Sequence, residues 1–155
     1  MEREKLIQAI IDKRREMSTK TIMFHQAVAD TLGLNVTDHK CLDLIRQYGA
    51  MPAGKLAELT GLTTAAVTGI LDRLEQAGFV RRANDPKDRR RTIVELTGNK
   101  KLEKKVEAIF IPFHQRMRKR LASYSDSELA FLLDALTKSL DDLQEELMTL
   151  REMRS

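Results

Sequence analysis

Between Pro52 and Leu96 the apolar residues change period, and almost no chain separates the pieces. Leu56, Ala57 and Leu59 fall on one side of a short helix that Pro52 opens and Gly61 closes. Only Leu62 and Thr63 intervene before Val67, Ile70, Leu71 and Leu74, whose i, i+3, i+4, i+7 spacing marks another helix, capped by Thr63 or Thr64 and ended by Gly78. The stretches 79–83 and 91–96 are then short, β-branched-rich runs. They flank Asn84, Asp85, Pro86, Lys87, Asp88, Arg89 and Arg90, a string of turn formers. A tightly turned helix pair that runs straight into a β-hairpin with a long polar tip leaves few architectures open.

The flanks read as helices. Leu6, Ile10, Ile11, Met17, Ile22, Met23 and Val28 recur at three- and four-residue steps across 3–32, and Gly33 ends that helix. Thr37 is a good N-cap for a second helix with an apolar stripe of Cys41, Leu44, Ile45 and Tyr48, stopping at Gly49. Thr97 is placed to cap a helix over about 99–121, inside which Pro112 predicts a kink or a local break. The run 125–128 is a capping box. Behind it Leu129, Leu133, Leu136, Leu140, Leu143, Leu147 and Leu150 step alternately by four and three, a heptad seam. The expected fold class is mostly α with a small β-hairpin wing, a winged helix-turn-helix between N- and C-terminal helices.

The 155 residues carry a formal net charge of only +4, which separates no function class by itself. Its distribution says more. Arg73, Arg81, Arg82, Lys87, Arg89, Arg90 and Arg91 crowd one segment against Glu75, Asp85 and Asp88, whereas the chain after Ser125 is predominantly acidic. The near-balanced total argues against a general DNA-compacting protein, which depends on many phosphate contacts. There is no nucleophile–base pair, phosphate-cradling glycine loop or metal-ligand spacing, so an enzyme is not expected, and neither a metal nor a cofactor. The single cysteine, Cys41, and a charged, amphipathic N-terminal segment unlike a signal peptide point to the cytoplasm; no apolar stretch is long enough for a membrane helix. Cys41 falls on an apolar stripe, which favours a buried, inert thiol over a redox sensor.

Opposite its apolar stripe, the helix after Thr63 presents Thr64, Ala65, Ala66, Thr68, Gly69 and Arg73. Thin side chains let a backbone approach the major groove, hydroxyls bond base edges or phosphates, and methyls touch the thymine methyl. Small residues also mark tight helix–helix packing, so this stretch alone leaves both readings open. The hairpin tip shifts the balance. Lys87, Arg89 and Arg90 on two short strands cannot be core, and an arginine in a narrow minor groove is a mode of shape readout. A solvated charged loop is the bland alternative; its place directly behind the helix pair favours DNA contact.

The stretch 51–97 resembles the winged helix-turn-helix of the MarR family of transcriptional regulators. The resemblance rests on LAELTGL at the turn, VTGILDRLEQAGFVRR along the recognition helix and into the wing, and DPKDRRR followed by VELT. It implies a DNA-binding domain over 36–97, with dimerisation helices over 1–35 and 98–155. By position it assigns Thr63, Thr64, Ala65, Ala66, Thr68, Gly69 and Arg73 to the recognition helix. In the wing it assigns Asp88 with Arg90, beside Lys87 and Arg89. It implies a homodimer, with Leu6 and Ile10 and the seam from Leu129 to Leu147 (Leu133, Leu136, Leu140, Leu143) as interface. The two recognition helices then read a pseudo-palindromic operator in double-stranded DNA. Regulators of this kind are commonly repressors released by a small, often aromatic effector, for which His25 and His114 are candidate pocket residues. The alternative is a winged-helix protein-interaction module with no preferred DNA sequence.

Overall fold

The computed structural model describes residues 2–89 and 91–153 and divides into two compact units, 1–109 and 110–155. The first unit begins with α1 (Arg3–Leu32), which Gly33 ends in the left-handed conformation that favours glycine. Val28, Ala29 and Leu32, at the C-terminal end of α1, are its buried residues, and this helix packs on α2 (Val36–Tyr48). Of its other apolar positions Phe24 is half-buried and the rest, Leu6 and Ile10 among them, are exposed.

Helix α2 starts earlier than Thr37 suggested, and of the expected stripe Cys41 and Ile45 are buried, Leu44 is half-buried and Tyr48 is exposed. Asn35 is the cap, its side chain accepting the Asp38 N–H at 2.8 Å. That register buries Asp38, His39, Cys41, Leu42 and Ile45 and leaves Tyr48 exposed.

A two-residue strand, β1 (Met51–Pro52), follows, so that Pro52 belongs to a strand and to the cap of α3 (Ala53–Thr60) at once. After the turn at Gly61 comes α4 (Thr64–Gln76), where the Thr63 hydroxyl accepts the Ala66 N–H at 3.2 Å. Its Val67, Ile70, Leu71 and Leu74 are all buried, each contributing about 1.5–3 kcal/mol by leaving water. Strands β2 (Val80–Asn84) and β3 (Thr92–Leu96) form the hairpin, and β1 adds to the far side of β3 by pairing Met51 with Val94. The antiparallel order is β1-β3-β2. The hairpin was legible beforehand; the third strand was not.

Helix α5 (Lys100–Leu121) runs uninterrupted through Pro112, so of the expected kink or local break the break does not occur. Its first turn is capped by Asn99, whose side chain accepts the Lys101 N–H at 3.1 Å, and not by Thr97. The Thr97 hydroxyl instead donates to the Gly78 carbonyl at 2.8 Å, tying the end of the hairpin to the turn before it. In the second unit, α6 (Asp126–Glu152) opens with the expected capping box between Ser125 and Glu128 and buries none of its residues.

Candidate nucleic-acid interface

The inner stripe of α4 fixes what its other side can be. With Val67, Ile70, Leu71 and Leu74 turned inward, Thr63, Thr64, Ala65, Ala66 and Thr68 are exposed in one patch and Gly69 is half-buried among them. None carries more than three side-chain heavy atoms, so a duplex can approach the helix backbone along this edge. The N-terminus of α4 lies in the same patch, with the partial positive charge of a helix start.

Three arginines that the sequence counted toward a cationic surface are engaged within the protein. Arg73 gives Nε to Asp38 Oδ2 and Nη2 to Asp38 Oδ1, each at 2.7 Å, a bidentate pair across 35 positions of sequence. The hydrogen bond to Asp38 holds the Arg73 guanidinium further above its ordinary range. Arg82, on β2, donates Nη2 to Asp72 at 2.6 Å and Nη1 to Glu75, both on α4, and its backbone N–H also bonds Glu75 at 3.0 Å. Arg81 pairs with Glu95 on the neighbouring strand at 2.8 Å. The Arg82 cluster clamps the stem of the hairpin to α4. The sequence reading missed Asp38, Asp72 and Glu75. An acid on the buried stripe of α2 was the available signal for the first of them, since a buried carboxylate needs a partner.

The tip of the hairpin is closed by backbone bonds. The Asp85 N–H donates to the Arg91 carbonyl at 2.9 Å, the Asp88 N–H to Asp85 at 3.2 Å and the Arg91 N–H to Asp88 at 2.9 Å. The Asp85 carboxylate accepts the Lys87 N–H at 2.8 Å, an Asx turn. Lys87 and Arg89 are exposed on this tip and Asp88 is half-buried. Arg90 lies outside the described residues.

The remaining candidates separate. His25 Nδ1 stands 3.2 Å from His39 Nε2, a pairing between α1 and α2 that the sequence did not suggest. Burial holds both imidazoles below their ordinary range. His114, in the second unit, stands beside Phe110 and Phe113 at ring separations of 6.1 and 6.0 Å. Cys41 is wholly buried, and burial, with the Asp38 carboxylate next in effect, pushes its thiol up to about 11. A thiol so disfavoured as thiolate is a poor oxidant sensor at neutral pH. Leu133, Leu136, Leu140, Leu143 and Leu147 are exposed along α6, while Leu129 is half-buried. Among the described residues no helix is long and apolar enough to cross a membrane.

A helix pair joined by a tight turn, followed by a hairpin that is clamped to the second helix and pairs with a short strand ahead of the first, defines a winged helix-turn-helix protein. The family model of MarR matches residues 34–92. The uncharacterized HTH-type transcriptional regulator YcgE of Bacillus subtilis (strain 168) is 39% identical over 97% of this chain and 96% of its own length. A MarR family protein from Bacillus stearothermophilus shares the fold with a TM-score of 0.66 at 18% identity, over 93% of this chain and 99% of that one. A mutant of S. aureus MepR bound to an oligodeoxyribonucleotide shares it with a TM-score of 0.54 at 21% identity, over 86% and 97% of the two chains. The chain belongs to the MarR family of transcriptional regulators, a class defined by DNA binding and not by catalysis.

Proposed function

We propose that this chain binds double-stranded DNA as a homodimer, reads a pseudo-palindromic operator and represses transcription by occupying it. The observation that carries this reading is the division of α4 into a wholly buried stripe and an exposed edge of small residues, with the wing stem fixed to the same helix by Arg82. Thr63, Thr64, Ala65, Ala66, Thr68 and Gly69 then line the major groove and Arg73 reads from its end. Lys87 and Arg89, with Asp88 shaping the tip and Arg90 beside them, reach the minor groove or its phosphates. The DNA-bound state of MepR, a fold relative, is in keeping with this role.

Dimerisation is part of the same proposal. Leu6 and Ile10 on α1 and the leucines of α6 expose apolar stripes that a second copy would cover, which makes α1 and the helices after residue 97 the dimerisation elements. Two recognition helices must then meet half-sites about one helical turn, ~34 Å, apart. Steric exclusion of polymerase needs no further surface, which favours repression. Release of the DNA by a small aromatic effector is part of the same proposal, with His25 beside Phe24 and His114 beside Phe110 as separate candidate contacts. The buried Cys41 thiol is in keeping with a cytoplasmic site.

The test is selection from a randomised duplex library with the full chain, followed by a gel-shift titration of the enriched duplex. The proposal expects one enriched palindrome, bound about 10³-fold or more above unrelated duplex. No enrichment would favour the protein-interaction module instead.

A further inference from the structure

Asp38 is a charged residue with a side chain only 3% exposed, yet its partner Arg73 is 52% exposed on the recognition helix. A guanidinium has two forks. The side-on fork, Nε with Nη2, is taken by the two oxygens of Asp38 at 2.7 Å each. The end-on fork, Nη1 with the second N–H of Nη2, draws no partner among the described residues. It lies over Gly69, where Nη1 would stand 3.5 Å from a Cβ if that residue had one. Ala65, Ala66 and Gly69 line the open groove beside it on the α4 side, and Asn35, Val36 and Thr37 line it on the other.

We propose that Asp38 is the positioning residue for a guanine-reading Arg73: the buried carboxylate takes one fork of the guanidinium and aims the other at guanine O6 and N7 in the major groove. The inference rests on the DNA-binding reading above and goes beyond it by assigning a base and a residue that never touches DNA. The physical reason is twofold. An unpaired arginine is mobile and settles on any phosphate, whereas a rigid plane held by two hydrogen bonds loses little freedom when it meets a base edge. The carboxylate also cancels the charge of Arg73, which lowers its attraction to phosphates while leaving its directional donors intact. Asp38 therefore trades general affinity for discrimination.

The experiment uses the full chain, with the duplex that wild-type protein enriches from a randomised library. Each guanine of the enriched half-site is replaced in turn, by another base and by 7-deazaguanine, which lacks the N7 acceptor. Wild type should lose roughly 5- to 100-fold in affinity at one guanine per half-site. In Asp38→Asn that preference should shrink toward unity. Its affinity for unrelated duplex should rise and its salt dependence steepen by about one counterion per subunit, as a freed cation finds a phosphate. A merely structural role for the pair would lower both affinities together. Arg73→Lys should lose the same preference, and Asp38→Asn in that background should remove nothing more. Cooperative melting and light scattering verify that each variant folds and assembles.

An Asp38→Asn variant that discriminates as wild type does would overturn the inference alone. If that variant fails to fold, the 7-deazaguanine series with wild-type protein still decides, since indifference at every position excludes a guanine-reading fork. A library that yields no enriched sequence would overturn the DNA-binding reading, and this inference with it.

Discussion

Helices α4 and α6 carry apolar stripes of similar regularity, and they meet opposite fates. In α4 every member of the stripe is buried, Val67 and Leu74 completely. In α6 Leu133 and Leu140 are each 67% exposed, and the helix buries nothing. A stripe satisfied within one chain makes a fold; a stripe left in water makes an assembly, since an apolar surface of that extent seeks a partner. The contrast divides the molecule by task. The helix-turn-helix body spends its hydrophobic residues on holding one polar edge in place, and the stripe of α6 is the one we propose a second copy covers.

The largest effect should come from breaking the outward stripe. Polar substitution of Leu136 and Leu143 together should dissociate the dimer and abolish specific operator binding while the monomer keeps its helical content. Light scattering that still reports a dimer would place the interface elsewhere. Next in size is the inward stripe. Leu71→Ala removes a wholly buried side chain and should cost about 2–5 kcal/mol in a denaturant titration, with no direct loss at the DNA surface. A cost below about 1 kcal/mol would mean that the interior closes over the gap.

Smaller again is the wing. Arg89→Ala should weaken binding to all sequences nearly alike and lower the salt slope by about one per subunit, as expected of a phosphate contact. A change confined to one base position would show that this side chain reads sequence. The smallest effect concerns the histidine pair. Burial lowers the protonation tendency of His25 and His39 in the folded chain, with Lys40 opposing and Asp43 favouring the charged forms. The unfolded chain takes up protons first, from about pH 6.5 downward, so the stability that neutral imidazoles supply is complete above that value. It declines as pH falls toward the folded values. The melting temperature of wild type should therefore drop between pH 7.5 and 5.5, and drop less in His39→Gln. Equal slopes would mean that the pair does not control this titration.

Much of the body was legible because its signals are local. Gly33 and Gly61 stand where helices end, and the spacing of Val67, Ile70, Leu71 and Leu74 named the buried face of α4 residue by residue. What escaped was non-local. Strand β1 is two residues long, too short to show a period, and exists because Met51 and Pro52 meet Val94 and Ile93 some forty positions on. The arginine pairs with Asp38, Asp72 and Glu75 join separate elements. The charge count from Arg73 to Arg91 consequently overstated the free positive charge of this segment, since Arg73, Arg81 and Arg82 each pair with a carboxylate of the same chain. At Pro112 the helix carries on without the break that was one of the two outcomes expected there.

The central claim is that the edge of α4 and the wing of each subunit face one duplex at the same time. Hydroxyl-radical footprinting of the full chain on its enriched duplex, combined with methylation interference at guanine N7, tests that directly. The account predicts two-fold symmetric protection, with N7 interference in two major grooves about one helical turn apart and flanking minor-groove protection that Arg89→Ala diminishes. Protection without symmetry, or N7 interference nowhere, would contradict it.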